Sequence, residues 1–128
     1  MAKSRKREKP EVKKVAQLKE AIVLIPLTYN DGTRVPREIL ESIREELFVA
    51  FHGWTLEGTV KGAYRMRTGE KRVEELQRIA VILDESQLPE LEAIVGRWGA
   101  RLGQETMLLK VADSIVKFVP PRPESEEL

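Results

Sequence analysis

The order of the apolar segments along this 128-residue chain constrains its fold more than any other feature. A buried-strand pattern at residues 20–27 is followed by a helical pattern from Val35 to Phe51. Two strand patterns, a second helical pattern from Leu88 to Leu102, and a last strand come next. Apolar residues three and four apart indicate the helices, whereas alternation or short continuous apolar runs indicate the strands. The predicted element order is therefore β-α-β-β-α-β.

This order is that of the split βαβ, or ferredoxin-like, fold. Strands one and three are apolar on both faces, which is typical of central strands, and strands two and four are mixed, which is typical of edge strands. We therefore predict an α+β ferredoxin-like βαββαβ sandwich with an antiparallel sheet in the order 4-1-3-2 and two helices on one face. Because this architecture hosts many unrelated functions, it does not name one.

Local signals set the expected ends of these elements. Gly53 fits the position just past helix one, Ser86 fits the cap of helix two, and strand four is expected to begin near Glu105. The alternation of strand two places six residues on one face: Leu56, Gly58, Val60, Gly62, Tyr64 and Met66.

Both ends of the chain lack a folding signal. Residues 1–14 are almost entirely polar and are predicted to be a disordered basic arm. Residues 120–128 begin with a proline cluster, end acidic, and are predicted to be a disordered acidic tail. The single ferredoxin-like domain is thus expected to span residues 15–119, with residues 114–119 extending the last strand or forming a short extra one.

The composition excludes several kinds of chemistry. The chain has no cysteine, which excludes disulfides and cysteine-based metal or nucleophile sites, and its single histidine, His52, excludes a multi-histidine metal site within one chain. No metal and no cofactor is expected. The sequence shows neither a membrane-length apolar segment nor a signal-peptide pattern, so we expect a cytoplasmic location without membrane contact.

The two-sided apolar character of strands one and three predicts an interaction surface. Both helices pack on one face of a ferredoxin-like sheet, so the other face is left with an apolar surface. We predict a homodimer formed through this face. The alternative is that residues 114–119 or the N-terminal arm fold back over it.

Five residues are candidates for ligand binding: His52, Trp54, Tyr64, Arg65 and Glu105. The structural alternative for His52 and Trp54 is a helix end, where His52 bonds a free carbonyl and Trp54 packs in the core. Because Trp54 lies at a turn, we predict that it is partly exposed. Trp98, on the apolar stripe of helix two, is expected in the core. Glu105 is expected to point inward toward Arg65, Arg101 or Tyr64, either as a ligand-binding acid or as a structural bridge. No residue is assigned a catalytic role.

Basic residues suggest contact with nucleic acid. Seven basic residues against two acidic ones give residues 1–14 a net charge of +5, while the other 15 basic and 19 acidic residues sum to −4. The basic residues of this arm are nucleic-acid candidates: Lys3, Arg5, Lys6, Arg7, Lys9, Lys13 and Lys14. The alternative is that the arm only aids solubility. A second basic cluster, at the hairpin of residues 64–72, is better explained as a charged sheet edge.

Several short motifs resemble a family of small bacterial proteins, often secreted, known as a domain of unknown function. They are Asp31-Gly32 with Val35, the segment 51–55, residues 62–65 with Gly69, and residues 102–105, and the resemblance covers about residues 21–111. The chain departs from those relatives because it carries a basic arm and no export signal. The family has no established activity, so the resemblance implies a fold and no reaction.

Three functional hypotheses follow. The first is a small non-enzymatic binding or assembly module that acts as a homodimer. The second is a nucleic-acid-associated protein anchored by the basic arm. The third is a small enzyme of the dimeric α+β barrel type, with its site around His52, Trp54, Tyr64 and Glu105.

Overall fold

The computed structural model describes residues 17–113 and 115–123, so the predicted arm of residues 1–14 lies outside the described residues. The described elements are β1 (Leu18–Pro26), α1 (Arg37–Phe51), β2 (Thr55–Arg65), β3 (Lys71–Asp84), α2 (Leu88–Arg101) and β4 (Leu109–Ala112). A short 3-10 turn, Glu85–Gln87, precedes α2. The strands pair antiparallel in the order β2-β3-β1-β4, which is the predicted order 4-1-3-2 in reverse. The ferredoxin-like α+β fold is therefore confirmed.

The core lies between the two helices and one face of the sheet. Alternate residues of the central strands face it: Ala21, Val23, Ile25, Ile79, Val81 and Leu83. The helices contribute Leu40, Ile43, Leu47, Phe51, Leu91, Ile94, Val95, Trp98 and Leu102. Trp98 is fully buried, as predicted. Its indole Nε1 donates a 2.7 Å hydrogen bond to Oε1 of Glu46, which joins α2 to α1.

The opposite face of the sheet, called the open face below, exposes less apolar surface than the sequence predicts. Ile22 and Ala80 alternate with the core residues, yet they are only 2% and 4% exposed. Ile22 lies between Ala80 and Lys110 in the strand register, and the aliphatic stem of a lysine covers apolar neighbours well.

The segment that follows β4 does not cover the open face. Ile115, Phe118 and Val119 are 73–85% exposed, and residues 115–123 form neither a strand extension nor a new strand. The two roles predicted for residues 114–119, a strand and a fold-back cover, are therefore wrong for the described part of that segment. Proline at positions 120 and 121 removes two of the N–H groups that a longer strand needs.

The helix ends differ from the prediction in two places. The left-handed residue after α1 is His52, with a φ of 72°, and not Gly53. The turn before α2 is capped by Asp84, whose side chain accepts hydrogen bonds from the backbone N–H and the hydroxyl of Ser86. Ser86 is thus a donor within the turn, because the nearby aspartate accepts more strongly than a serine hydroxyl.

The predicted faces and start of the edge strands also need correction. A β-bulge between Leu56 and Gly58 inserts Glu57, so Leu56 pairs with the core-facing Ile79 while Tyr64 pairs with Arg72 on the open face. A bulge moves every residue on one side of it to the other face. Strand β4 begins at Leu109, four residues after Glu105. Among the described residues, neither helix has the length and apolar character needed to cross a membrane.

Candidate functional site

A pocket of about 170 Å³ lies on the open face, where β1 and β2 end and β3 begins. Its floor is formed by apolar side chains of the two central strands, including Leu24, Pro26 and Leu76. The segment 104–108, which leads into β4, forms one wall, and Tyr64 with Arg65 of β2 completes the lining. A mainly apolar concavity with a few polar groups is the usual form of a small-molecule site.

Tyr64 reaches the pocket because the neighbouring residue on its face has no side chain. A Cβ atom built on Gly62 would lie 2.5 Å from the phenol oxygen of Tyr64, so the ring lies back along the strand over this glycine. Residues two apart on a strand share a face, which brings the two together. Gly62 therefore sets the position of the aromatic wall.

Two charged residues of β3 meet inside the pocket. The side chain of Glu74 is 8% exposed, and its Oε1 lies 3.7 Å from Nε of Arg72. Arg72 donates from Nη2 to the carbonyl of Tyr29 at 3.0 Å and from Nη1 to the carbonyl of Asn30 at 3.3 Å. Both Nε of Arg72 and Oε1 of Glu74 are buried without a hydrogen-bond partner. Arg72 and Glu74 thus line the pocket as an ion pair, with these two atoms closed off from solvent and the guanidinium held by two backbone carbonyls.

Sequence reasoning missed this pair. In the sequence, Arg72 belongs to the basic hairpin, and Glu74 is an isolated charge on a strand, which is usually solvated. Alternation was the available signal, since Arg72 and Glu74 have the same parity as Leu76, which is 4% exposed.

Among the predicted ligand residues, Tyr64, Arg65 and Glu105 line the pocket. Glu105 is one third exposed, and its carboxylate accepts a 3.3 Å bond from the backbone N–H of Arg67 and lies 3.9 Å from the Arg67 Nε. Its ion-pair partner is therefore Arg67, and not one of the three expected residues. The inward orientation was predicted from strand parity, which does not apply because Glu105 precedes β4.

His52 and Trp54 do not line the pocket. His52 is exposed at the end of α1, where its backbone N–H donates to the carbonyl of Phe48 at 2.8 Å. Trp54 is 39% exposed, with the Arg44 guanidinium 5.4 Å from its ring centroid. The helix-end interpretation thus fits His52. For Trp54, the predicted partial exposure is confirmed and packing in the core is wrong. A site that unites His52, Trp54, Tyr64 and Glu105 is not assembled within one chain.

The arginines of the basic hairpin have partners within the chain. Besides the bonds of Arg67 and Arg72 above, Arg65 donates to the carbonyl of Gly69 at 3.5 Å. In the loop that adjoins this hairpin, Asp31 accepts bonds from the hydroxyl and the backbone N–H of Thr33, at 2.7 and 2.9 Å. These bonds, the hydroxyl first, lower the pKa of Asp31 from its ordinary value of 3.8. Within residues 17–113 and 115–123, no three carboxylate or histidine side chains cluster closely enough to hold a metal ion.

Comparison with solved structures places the fold among known proteins. A phage SAM lyase in complex with S-methyl-5'-thioadenosine is 14% identical, with a TM-score of 0.59 over 76% of this chain and 81% of that one. The divalent cation tolerance protein Cut A1 of Thermus thermophilus is 12% identical, with a TM-score of 0.56 over 79% of this chain and 87% of that one. A Bacillus cereus protein related to NIF3 is 16% identical, with a TM-score of 0.54 over 78% of this chain and 27% of that one.

Sequence comparison adds no family to these likenesses. No family model matches the chain, and no curated protein matches it significantly. At these identities the structural likenesses show a shared fold alone. Membership in the bacterial family that the motifs resemble stays a prediction.

Proposed function

We propose that this protein is a small non-enzymatic binding module whose ligand site is the pocket on the open face. The observation that carries the proposal is the Glu74 carboxylate, which is more than nine-tenths buried and has an oxygen without a hydrogen-bond partner. Since that oxygen has no accessible surface, a ligand in the pocket meets the carboxylate at its remaining exposed part, where the negative charge favours a hydrogen-bond donor.

The residues of the pocket favour binding over catalysis. Its lining contains Tyr64, Thr106, two arginines and two glutamates, and no histidine, serine or cysteine among the described residues. Nucleophilic catalysis needs a nucleophile and a base within hydrogen-bond reach, and among the described residues no hydrogen bond joins Tyr64 or Thr106 to either glutamate. As part of the same proposal, the module acts in the cytoplasm of a bacterium.

Fragment binding followed by NMR tests this function. A panel of about a hundred polar, charged and apolar fragments, together with S-methyl-5'-thioadenosine, the compound named with the phage SAM lyase, is titrated into the ¹⁵N-labelled full chain. We expect at least one compound to shift the amide signals of Leu24, Leu76 and Met107. The proposal fails if no compound at millimolar concentration shifts these signals.

A pair of tryptophan substitutions on the open face provides the matched control. Leu24→Trp fills the pocket and is expected to abolish the shifts. Ile82→Trp adds the same ring at a half-buried position of β3 outside the pocket and is expected to leave them unchanged. Thermal unfolding of both variants checks that each is folded.

A second candidate function is assembly as a homodimer through the open face. The supporting observation is the segment after β4, whose Ile115, Phe118 and Val119 are 73–85% exposed. Contiguous exposed apolar side chains mark interaction surfaces. In a dimer, these side chains cover the half-buried Leu24 and Ile82 of a second copy.

Light scattering measures this assembly directly. We expect the full chain to have about twice its mass of 14.6 kDa, and Phe118→Ser to shift it toward the monomer. Lys117→Ser, at the adjacent exposed position, is the control. A full chain that stays at the single-chain mass at high micromolar concentration contradicts the dimer.

A further inference from the structure

The exposed apolar segment after β4 complements the apolar pocket of the open face. In this segment Ile115, Phe118 and Val119 are exposed, and Phe118 has the largest of the three side chains. We propose that the pocket of one copy holds the phenyl ring of Phe118 from a second copy. This inference rests on the proposed binding function and names the occupant of the same pocket.

The size and the apolar part of the lining fit one phenyl ring. The pocket has a volume of about 170 Å³, and an apolar cavity of about 150 Å³ binds benzene. Its apolar walls include Leu24, Leu76, Met107 and Leu108. Tyr64 adds an aromatic surface, against which a second ring packs favourably.

The charges of the lining favour an uncharged side chain. Two arginines and two glutamates line the pocket: Arg65, Arg72, Glu74 and Glu105. Arg72 and Glu74 form an ion pair. Glu105 is paired with Arg67, and Arg65 donates to a backbone carbonyl of its own hairpin. A charged group that enters this lining loses its hydration and meets opposite charges that are already paired, whereas a phenyl ring has no such penalty.

The neutral polar groups of the pocket fit the backbone of an extended segment. The side-chain amide of Gln104 already donates within the chain. The hydroxyls of Tyr64 and Thr106 and the exposed part of Glu74 can accept hydrogen bonds from N–H groups. Residues 115–119 offer such groups, because none of their backbone N–H groups forms a hydrogen bond within the described part of the chain.

The direction of β4 carries the segment away from the pocket of its own chain. Ala112 pairs with Glu20, so the chain leaves the sheet at one end of β1. The pocket begins at Leu24, roughly 13 Å along the strand, and residues 115–123 contain no turn that leads back to it.

A two-fold arrangement of two copies brings the segment and the pocket together. When two open faces pack with their strands antiparallel, the end at which each chain leaves its sheet lies over the pocket end of the other copy. A two-fold interface uses the same pair of surfaces in both directions, so each copy gives one ring and receives one. The contact is therefore made twice in the dimer.

NOEs between copies test where the ring lies. An equal mixture of ¹³C-labelled and unlabelled full chain, measured with isotope filters, reports contacts between copies alone. We expect NOEs between the ring protons of Phe118 and the methyl groups of Leu24 and Leu76. Absence of these NOEs in the mixture, or their presence only within single chains of a fully labelled sample, overturns the inference.

A peptide of residues 113–121 tests the contribution of the ring. It is titrated into the ¹⁵N-labelled full chain with Phe118→Ser, beside a control peptide with the same substitution. We expect the native peptide to shift the amide signals of Leu24, Leu76 and Met107. It should bind at least about tenfold more tightly than the control, because burial of a phenyl ring favours binding by that factor or more. Equal binding by the two peptides overturns the inference.

Matched variants connect the ring and the pocket to assembly. In light scattering, Phe118→Ser and the pocket-filling Leu24→Trp are each expected to lose the dimer. Phe48→Ser, at an exposed phenylalanine of α1 on the helix side of the sheet, is expected to keep it. An equimolar mixture of Phe118→Ser and Leu24→Trp should form more dimer than either alone, because one retains the pocket and the other the ring. No gain on mixing contradicts the contact.

The outcomes separate the inference from the function on which it rests. Fragments that bind at the pocket, together with a peptide that does not, overturn the proposed occupant and leave the binding function standing. Absence of any signal shift at the pocket of the Phe118→Ser chain, by the peptide and by the whole fragment panel, overturns the binding function itself.

Discussion

Replacing Glu46 by alanine is expected to destabilise the protein far more than replacing the exposed Glu45 beside it. Oε1 of Glu46 accepts a 2.7 Å hydrogen bond from the indole Nε1 of Trp98, which is 0% exposed. In Glu46→Ala, the indole N–H of Trp98 loses this acceptor. Oε2 of Glu46 also accepts from Arg97, whose side chain is 60% exposed.

The magnitude follows from these two contacts. A hydrogen bond to a charged acceptor contributes about 1.5–3 kcal/mol, and this one is partly buried. The ion pair with Arg97 is solvated and adds at most about 1 kcal/mol. We therefore expect the free energy of unfolding to fall by about 2–3 kcal/mol in Glu46→Ala. With an unfolding entropy of about 0.2 kcal/mol/K for a domain of this size, Tm falls by roughly 10–15 °C.

Urea and thermal unfolding followed by circular dichroism measure this effect. Glu46→Gln keeps an acceptor and is expected to lose less than half as much stability, and Glu45→Ala about 0.5 kcal/mol or less. A double-mutant cycle with Trp98→Phe, which removes the donor, isolates the pair and is expected to give a coupling of at least about 1 kcal/mol. A coupling near zero, or equal losses in Glu46→Ala and Glu45→Ala, would refute the reasoning.

Three further predictions concern the loop, the pocket and the arm. The folded-state pKa of Asp31 is depressed, so the stability that this carboxylate contributes is present above pH 3.8 and is lost as the pH falls through the lower folded value. Thr33→Val removes the hydroxyl and should raise this pKa toward 3.8 in an NMR titration, and an unchanged pKa contradicts the assigned hydrogen bond. Gly62→Ala should push the Tyr64 ring off the strand and weaken fragment binding, with loss of ring contacts to residue 62 in NOE spectra; retained contacts would count against the close approach. Removal of residues 1–14 should leave Tm unchanged and abolish any salt-dependent binding to duplex DNA in fluorescence anisotropy; equal binding by both forms, or none by either, excludes the nucleic-acid hypothesis.

Local periodicity was sufficient to predict the architecture. The apolar stripe of α2 indicated that Trp98 is buried, and the two-sided apolar runs of β1 and β3 indicated that these are the central strands. Both inferences depend on side-chain spacing within one element, which the sequence contains directly. The bulge at Glu57 was not predictable in this way, because a bulge depends on how two strands pair.

The candidate site was predictable only in part. Tyr64, Arg65 and Glu105 were identified from their residue types and do line one pocket. His52 was identified for its chemistry, yet the left-handed turn after α1 places it at an exposed helix end. Residue type indicates what a side chain can do, and the fold decides which side chains meet.

The sequence alone determined the order of the elements, the arrangement of the strands and the identity of the core, because these depend on the spacing of apolar residues along single segments. Only the tertiary structure decided that Glu74 and Arg72 are enclosed. Their enclosure requires the segment 104–108 to lie against the open face and the carbonyl groups of Tyr29 and Asn30 to hold the guanidinium. These contacts join residues that are far apart in the chain, and whether a charged side chain is solvated or buried depends on such neighbours rather than on its own strand.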